Sequence, residues 1–237
     1  MHCAKNKKST DKNIKFAAFT LAEVLITLGI IGVVAALTMP ALISNAREHA
    51  SVTAMKKAYS ILSQATHSIV IDNPIENWNL ADGNTNSTKE FFEYYKPYLN
   101  ITQDCGCAQY VTGCWSKDIT KALGGVNYAY ARANSIGVDS CAIRLSDGMN
   151  VTFTFWSSTN VGVSSSKAVP AFYVDVNGDT KPNILGRDVF MFALTAESNS
   201  LYPAGTTNNS AGCTGGTSNT AGINCAAKVL QEGKINY

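Results

Sequence analysis

Charged side chains and histidines are scarce in this chain. Asp, Glu, Lys and Arg make up 15% of its 237 residues, and much of its polarity comes from Asn, Thr, Ser and Gly. The three histidines, His2, His49 and His67, stand in no recognisable pattern with a serine or cysteine nucleophile. Glycine patterns of phosphate-binding or dinucleotide-binding loops are also missing. These absences argue against an enzyme, and they predict no cofactor and no catalytic residue.

One long apolar run dominates the N-terminal part of the chain. It extends from Phe19 to Ile43, and a single acid, Glu23, interrupts it near its start. About 20 apolar residues suffice to cross a bilayer as a helix, so the run is long enough to span a membrane. A carboxylate inside such a segment costs roughly 2.5–3.5 kcal/mol on insertion scales, which marks Glu23 as a candidate functional residue.

The residues before this run narrow its interpretation. Residues 1–18 carry five lysines against one acid, Asp11, and they end in the small pair Ala17 and Ala18. In a secretory signal peptide the small residues follow an apolar core of about 7–15 residues, whereas here they precede a longer one. A plain signal anchor fits the length and the charge bias and stays open as an alternative, but it leaves Glu23 unexplained.

The segment AFTLAEVL, which begins at Ala18, resembles the processing signal of type IV pilins and type II secretion pseudopilins. The resemblance covers residues 12–45. It implies that a prepilin peptidase cuts between Ala18 and Phe19 and methylates the new N-terminus at Phe19. Gly32 and Pro40 also stand where pilin helices commonly carry a glycine and a bending proline. Two departures are Ala18, where the family usually has glycine, and a leader of eighteen residues, longer than in many members.

The resemblance implies a structural subunit of a type IV pilus or a type II secretion pseudopilus. Such a subunit would wait in the lipid of the bacterial inner membrane with its C-terminal domain exported. It would then join like subunits in a surface or periplasmic filament, through an inner-membrane assembly platform. In that filament Glu23 would pair with the amine of Phe19 on a neighbouring subunit. The shared motif does not separate pilus from pseudopilus, or a major from a minor subunit.

Two other classes of function stay open. A minor pilin acting as a receptor, for DNA uptake or adhesion, would be favoured by a basic groove, but the exported part of the sequence shows no cluster of lysines. Without residues 1–18 the net charge changes from +2 to −2, with 14 basic and 16 acidic residues, so composition predicts no nucleic-acid partner. A membrane-tethered exported domain with its own activity is the other class, and a catalytic pocket would support it.

Cysteine usage predicts an oxidised, exported domain. One cysteine, Cys3, lies in the leader, and six follow it: Cys105, Cys107, Cys114, Cys141, Cys213 and Cys225. An even number in an exported domain predicts disulfides, although six cysteines allow 15 pairings. A zinc site at the closely spaced Cys105, Cys107 and Cys114 is the alternative. Cys213 and Cys225 are expected to pair, because their bridge would close a loop that has little else to order it.

The predicted fold class is α+β, with a pilin-like arrangement. A helix over residues 19–71 spans the membrane with its first half, and its second half carries apolar residues at intervals of three and four. The members of that stripe are Val52, Met55, Tyr59, Leu62, Thr66 and Ile69. Pro40 should bend the helix, and Pro74 should stop it shortly after its end. Residues 72–237 then form the exported globular domain.

That domain is predicted to contain short helices followed by a small antiparallel sheet. Residues 74–140 are irregular apart from short helices, one of which has capping-box spacing at Ser87 to Glu90. Strands are expected at residues 142–145, 151–156, 171–176 and 189–194, with a hairpin turn at 146–148. Residues 202–224 are expected to be a loop that the Cys213–Cys225 bridge closes.

One acidic segment, Asp175 to Asp179, places oxygen-bearing side chains at alternate positions, which suits calcium. The match to an EF-hand loop fails, because Gly186 stands where an acidic ligand is required, and Asp188 substitutes only if the loop folds differently. The other interpretation is a strand-ending turn in which Asn177 and Gly178 adopt positive φ angles. Both interpretations stay open, and no metal ligand is assigned.

Overall fold

The computed structural model describes residues 19–78, 85–157, 168–195, 199–206, 213 and 216–237. The chain divides into two compact units, with the boundary between residues 45 and 46. The predicted leader, including Ala18, lies outside the described residues, and so does part of the predicted C-terminal loop.

Three α-helices and eight β-strands make up the regular structure of the described residues. The helices are α1 (Leu21–Asp72), α2 (Thr85–Tyr95) and α3 (Cys225–Glu232), with short 3-10 turns at Ile75–Asn77 and Lys96–Tyr98. The strands are β1 (Ile101–Ala108), β2 (Ala131–Arg132), β3 (Ser135–Ile136), β4 (Ser140–Leu145), β5 (Asn150–Ser157), β6 (Ala168–Asp175), β7 (Val189–Thr195) and β8 (Ser200–Pro203). This arrangement is an α+β fold, as predicted.

The first half of α1 is apolar on every side. The helix begins at Leu21 and continues through Pro40 without ending there, while the predicted bend at Pro40 stays a prediction. The exposed large apolar side chains of this half include Leu25, Leu28, Ile31, Val34, Leu37, Leu42 and Ile43. A helix that is apolar all round belongs inside a core or a membrane, so this half needs a cover of lipid or of other helices.

The second half of α1 has one covered face. Five of the six stripe positions predicted from the sequence are buried, and the sixth, Tyr59, is partly buried. The helix ends at Asp72, two residues before Pro74, as predicted. Pro74 cannot donate a backbone hydrogen bond, and it disfavours helical geometry in the residue before it.

Six strands form one antiparallel sheet in the order β1-β4-β5-β6-β7-β8. The strands β4 to β8 are neighbours in space in the same order as in the chain, and β1 pairs with β4 at one edge. The four predicted strands correspond to β4, β5, β6 and β7. The predicted turn between β4 and β5 is confirmed, since the amide of Leu145 donates to the carbonyl of Met149 at 2.9 Å.

The prediction that residues 74–140 contain no strand is wrong: β2 and β3 lie there as two-residue strands, and β1 lies there as an eight-residue strand. Its sequence, ITQDCGCA, lacks a regular apolar alternation, and most of its side chains are exposed. An edge strand pairs with one neighbour only, and most side chains of β1 are exposed. Its sequence therefore needs no alternation of apolar and polar residues. Cys107 lies directly opposite Cys141 of β4, so the register of this edge is also held covalently.

Two further elements replace part of the predicted C-terminal loop or follow it. Strand β8 pairs with β7 through Leu201 and Tyr202, where the loop was expected to begin. Helix α3 follows Asn224 directly and was not predicted from the sequence. It buries Ala226 and Val229 and ends at Glu232, and the next residue, Gly233, caps it with a left-handed φ of 67°.

Helix α2 begins earlier than its capping-box spacing indicated. It starts at Thr85, so Ser87 and Thr88 lie inside the helix and are buried, and the predicted cap at Ser87 is wrong. The first described turn of this helix makes a distant contact, in which the hydroxyl of Thr85 donates to Oδ1 of Asp139 at 2.5 Å. A contact across 54 residues cannot be inferred from local spacing.

Both faces of the sheet are covered. One face packs Phe153, Phe172 and Phe192 against α2, α3 and the second half of α1. The opposite face packs Tyr173, Met191 and neighbouring side chains against the loops that contain Trp115, Tyr128 and Ile223. Alternate residues of a strand point to opposite faces, and here both faces are buried. The sequences of β6 and β7 are therefore almost continuously apolar.

Candidate functional site

The start of α1 is closed by a reciprocal cap between Thr20 and Glu23. The backbone amide and the hydroxyl of Thr20 both donate to Oε2 of Glu23, each at 2.8 Å. In return, the amide of Glu23 donates to the hydroxyl oxygen of Thr20 at 3.2 Å. This is a capping box, and it places a negative charge where the helix dipole favours one.

The cap gives Glu23 partners in its own chain, which the sequence interpretation missed. The signal was present, because Thr20-Leu21-Ala22-Glu23 has the spacing of a capping box immediately before an apolar run. Both hydrogen bonds from Thr20 use Oε2, so Oε1 lies outside the capping box. Phe19 adjoins this cap and is 83% exposed.

Helix α1 is long and apolar enough to cross a membrane by length and composition. Its most apolar window of 18 residues has a mean hydropathy of 2.3, and none of that window is buried. A signal sequence near an N-terminus meets the same criteria. The helix is therefore consistent with a single-pass membrane protein.

The six cysteines that follow the predicted leader form three disulfides. Cys105 pairs with Cys114, Cys107 with Cys141, and Cys213 with Cys225, the last being the pairing expected for the C-terminal loop. Zinc binds thiolates, so a bonded sulfur in Cys105, Cys107 or Cys114 is not free to act as a zinc ligand. The zinc alternative is therefore replaced by two bridges at the edge of the sheet.

The loop between β6 and β7 is built around the carboxylate of Asp188. Its Oδ2 accepts from the backbone amide of Asn183 at 2.7 Å and from Nδ2 of Asn177 at 3.1 Å. Its Oδ1 accepts from the backbone amide of Ile184 at 2.6 Å. Asp188 is fully buried, and these donors explain how it fixes the path of the loop.

Asp175 lies at the end of β6 and is also fully buried. Its Oδ1 accepts from the amide of Asn177 at 3.2 Å, while its Oδ2 has no hydrogen-bond partner. The turn that follows uses a positive φ of 66° at Gly178 but not at Asn177. The prediction of a positive φ at Asn177 is therefore wrong, and Asn183, with a φ of 54°, adopts one instead.

Burial raises the pKa of both loop carboxyls. The pKa of Asp175 lies well above its ordinary value, because the group is desolvated and because Asp188 and Asp179 add negative charge nearby. Desolvation also raises the pKa of Asp188, and the amides of Ile184 and Asn183 oppose that rise. Asp179 belongs to a different contact, since its carboxylate meets the guanidinium of Arg144 at 2.7 Å.

A groove of about 490 Å³ brings together lysines that are distant in the sequence. Lys117, Lys121 and Lys181 line it together with Asp118, and Nζ of Lys181 lies 3.2 Å from the Asp118 carboxylate. The sequence showed no lysine cluster in this part of the chain. The groove is visible only in the fold, because 60 residues separate Lys121 from Lys181.

Comparisons with known protein families, curated proteins and solved structures found no match to this chain. Any assignment of function therefore depends on the residues and on the geometry described above.

Proposed function

We propose that this chain is a structural subunit of a pilin-type filament, either a type IV pilus or a type II secretion pseudopilus. One observation carries the proposal: a capped carboxylate, Glu23, stands at the start of an apolar helix that the described residues leave uncovered. The same helix continues into an α+β unit with three disulfides, which suits an exported domain.

Processing is the first step of the proposed mechanism. A prepilin peptidase cuts between Ala18 and Phe19 on the cytoplasmic side and methylates the amine of Phe19. The subunit then stays in the inner membrane through α1 until the assembly platform moves it into the filament. N-terminal mass spectrometry of the exported protein tests this step, and a mature chain that begins elsewhere than Phe19 would contradict it.

Assembly is the step in which Glu23 acts. As like helices bundle, the cover of lipid on the first half of α1 is replaced by neighbouring helices. The Glu23 carboxylate then accepts from the Phe19 amine of an adjacent subunit through Oε1, while Oε2 stays in the capping box. A charge left unpaired in such a bundle is strongly unfavourable, so this pair sets the axial register of each subunit.

Three variants separate the charge of Glu23 from its cap. Glu23→Gln keeps a side chain that suits a capping box but removes the charge. Thr20→Ala removes the hydroxyl's part of the cap but keeps the charge, and Glu23→Leu removes the charge together with the carboxylate's part of the cap. Each variant is expressed with its assembly machinery, and processed subunit and filament are measured separately.

The expected result is that all three variants are processed and inserted, while Glu23→Gln and Glu23→Leu form no filament. Thr20→Ala should still assemble, because the carboxylate that pairs with the neighbour remains. Wild-type filament yield from Glu23→Gln would contradict the proposed pair. Loss of assembly in Thr20→Ala alone would show that Glu23 serves only the local helix cap.

The lysine groove favours a second candidate function, a minor pilin that acts as a receptor. Lys117, Lys121 and Lys181 would attract a polyanion such as DNA, and binding would weaken as salt rises. Triple substitution of these lysines by glutamine, with Lys228→Gln as a control outside the groove, tests this candidate in a DNA-binding titration. Equal binding by the triple variant and the control would rule out the groove as a receptor site.

A further inference from the structure

The end of α1 carries an exposed apolar side chain beside two acids. Ile71 is 68% exposed, and no other large apolar side chain after residue 45 is as exposed in the described parts of the chain. Asp72 follows it directly, and Glu76 lies in the 3-10 turn that comes next, where it is exposed as well. Neither acid forms an ion pair with another described residue. These three residues are named the acidic end of α1.

The charge of Asp72 is unfavourable where it stands. Asp72 is the last residue of α1, and the last turn of that helix contains no basic residue. The free carbonyl groups give the C-terminal end of a helix a partial negative charge, so a cation is favoured there and an acid is not. A cation supplied by another molecule would therefore stabilise this end of α1.

The lysine groove has the complementary composition. Ile119 and Pro182 form an apolar part of its lining, and three lysines form a positive part. Lys181 already pairs with the acid of the lining. Lys117 and Lys121 are exposed and form no ion pair with a described residue. At about 490 Å³ the groove is large enough for an isoleucine side chain.

The acidic end of α1 and the lysine groove lie on opposite sides of the sheet. Helix α1 and the turn after it pack on the face that carries Phe153. The loop that contains Lys117 and Lys121 packs Trp115 and Tyr128 against the other face. A contact between two unlike surfaces joins copies of a chain head to tail, which produces a ring or an open filament.

We propose that the acidic end of α1 in one subunit docks into the lysine groove of a second copy of this chain. The Ile71 side chain enters the groove beside Ile119. The two unpaired lysines, Lys117 and Lys121, then meet the two acids of the partner copy. The contact rests on the proposed filament function, and it adds to that filament a contact outside the apolar half of α1.

A polyanion such as DNA is the other ligand that these lysines would attract. The apolar part of the lining favours the protein partner, because Ile71 loses exposed apolar surface against Ile119 and Pro182. The charges also match in number, since two unpaired acids meet two unpaired lysines. The same contact supplies the cation that the end of α1 lacks.

The test exchanges the charges of the two surfaces in the full chain, which is expressed with its assembly machinery. The groove variant combines Lys117→Glu with Lys121→Glu. The helix-end variant combines Asp72→Lys with Glu76→Lys, and a third chain carries all four substitutions. Asp72→Lys does not weaken α1 itself, because a basic residue is favourable at a helix C-terminus. Processed subunit and filament are measured separately.

The matched control exchanges two charges outside both surfaces. Lys89→Glu is combined with Glu93→Lys, because both residues are exposed on α2 and four positions apart. This exchange keeps one acid and one base on the same helix. The control should be processed and should assemble like wild type.

The groove variant and the helix-end variant should each be processed normally and should each lower filament yield at least tenfold, because like charges then face each other across the contact. The chain with all four substitutions restores the pairs with reversed sign, so it should regain at least half of the wild-type yield. Recovery of this kind is specific to the contact, since two unrelated defects would add.

Cross-linking gives a second readout. A carbodiimide joins a carboxylate to an amine that lies in contact with it. Filaments are grown from a mixture of isotope-labelled and unlabelled wild-type chains, so that links between copies are distinguished by mass. We expect such links from Lys117 or Lys121 of one copy to Asp72 or Glu76 of another.

Two outcomes would overturn the contact. One is wild-type filament yield from the groove variant or from the helix-end variant, and loss of DNA binding in that same groove variant would assign the lysines to DNA. The other is a chain with all four substitutions that is processed but recovers no filament. Absence of filament from the wild-type chain would count against the proposed function itself. In that case the cross-links are sought between subunits in the membrane, and their absence overturns the contact.

Discussion

The two halves of α1 belong to one helix but differ in what covers them. Residues 46–72 bury a stripe that includes Met55, Leu62 and Ile69 against their own domain. Residues 21–45 expose leucines, isoleucines and valines around the whole helix. The second half is completed by its own chain, and the first half is left for lipid or for other helices to complete.

The acids of the two regions follow the same contrast. Glu23 is exposed and receives its hydrogen bonds from Thr20, three residues away. Asp175 is buried among residues distant in the chain and keeps one oxygen without a partner. Glu23 therefore has its partners within one turn of its own helix, whereas Asp175 keeps an acceptor oxygen that no described residue satisfies. Four predictions test the contrast between the two regions.

Removing the Cys107–Cys141 bridge should have the largest effect on stability. The bridge closes a segment of 34 residues, and chain-entropy arguments give a loss of about 4 kcal/mol in the free energy of unfolding. The Cys105–Cys114 bridge closes only 9 residues, so its removal should cost about 2.5 kcal/mol. Denaturant unfolding of the two double Cys→Ala variants measures both losses, and equal losses would contradict the dependence on loop length.

The same leucine-to-alanine substitution, made once in each half of α1, should show how differently the two halves contribute to stability. Leu62→Ala removes a buried side chain and should lower the free energy of unfolding of the domain by about 2–5 kcal/mol. Leu28→Ala changes an exposed position and should alter that free energy by less than about 0.5 kcal/mol. Unfolding followed by tryptophan fluorescence in detergent measures both, and equal effects would mean that the first half is covered by the domain after all.

Tyr95→Phe should have a smaller effect in the covered region. The hydroxyl of Thr66 donates to the carbonyl of Leu62, so Tyr95 is the donor in its 2.6 Å contact with Thr66. Its removal leaves Thr66 with a partner and should cost about 1 kcal/mol of unfolding free energy. The control is Tyr98→Phe at an exposed position, and a loss for Tyr95→Phe no larger than for this control would contradict the assignment.

The smallest effect is expected from the helix cap. Thr20→Ala removes the two hydrogen bonds of the Thr20 hydroxyl and should weaken the first turn of α1 by about 0.5–1 kcal/mol, while Thr20→Ser retains them. Hydrogen exchange of the first-turn amides in detergent measures this change, and the domain should unfold as in wild type. Equal exchange in the two variants would show that the cap does not hold the helix start.

Sequence reasoning succeeded where local pattern and burial agree. The stripe of α1, the end of α1 before Pro74 and the four central strands β4 to β7 were all predicted from periodicity. It failed at β1 and α3, which lie at the margins of the sheet and carry polar or mixed sequences. A capping box was assigned at Ser87 and overlooked at Thr20, although both segments have the same spacing. The structure shows that Thr20, and not Ser87, caps a helix.

The sequence by itself determined the apolar run, the single acid within it, the periodic stripe and the even set of six cysteines after residue 18. These features are local, so composition and spacing are enough to reveal them. Only the tertiary structure decided which cysteines pair, which lysines share a groove and which amide groups donate to Asp188. Those arrangements join residues tens of positions apart, and the sheet brings them together because its two faces must both be covered.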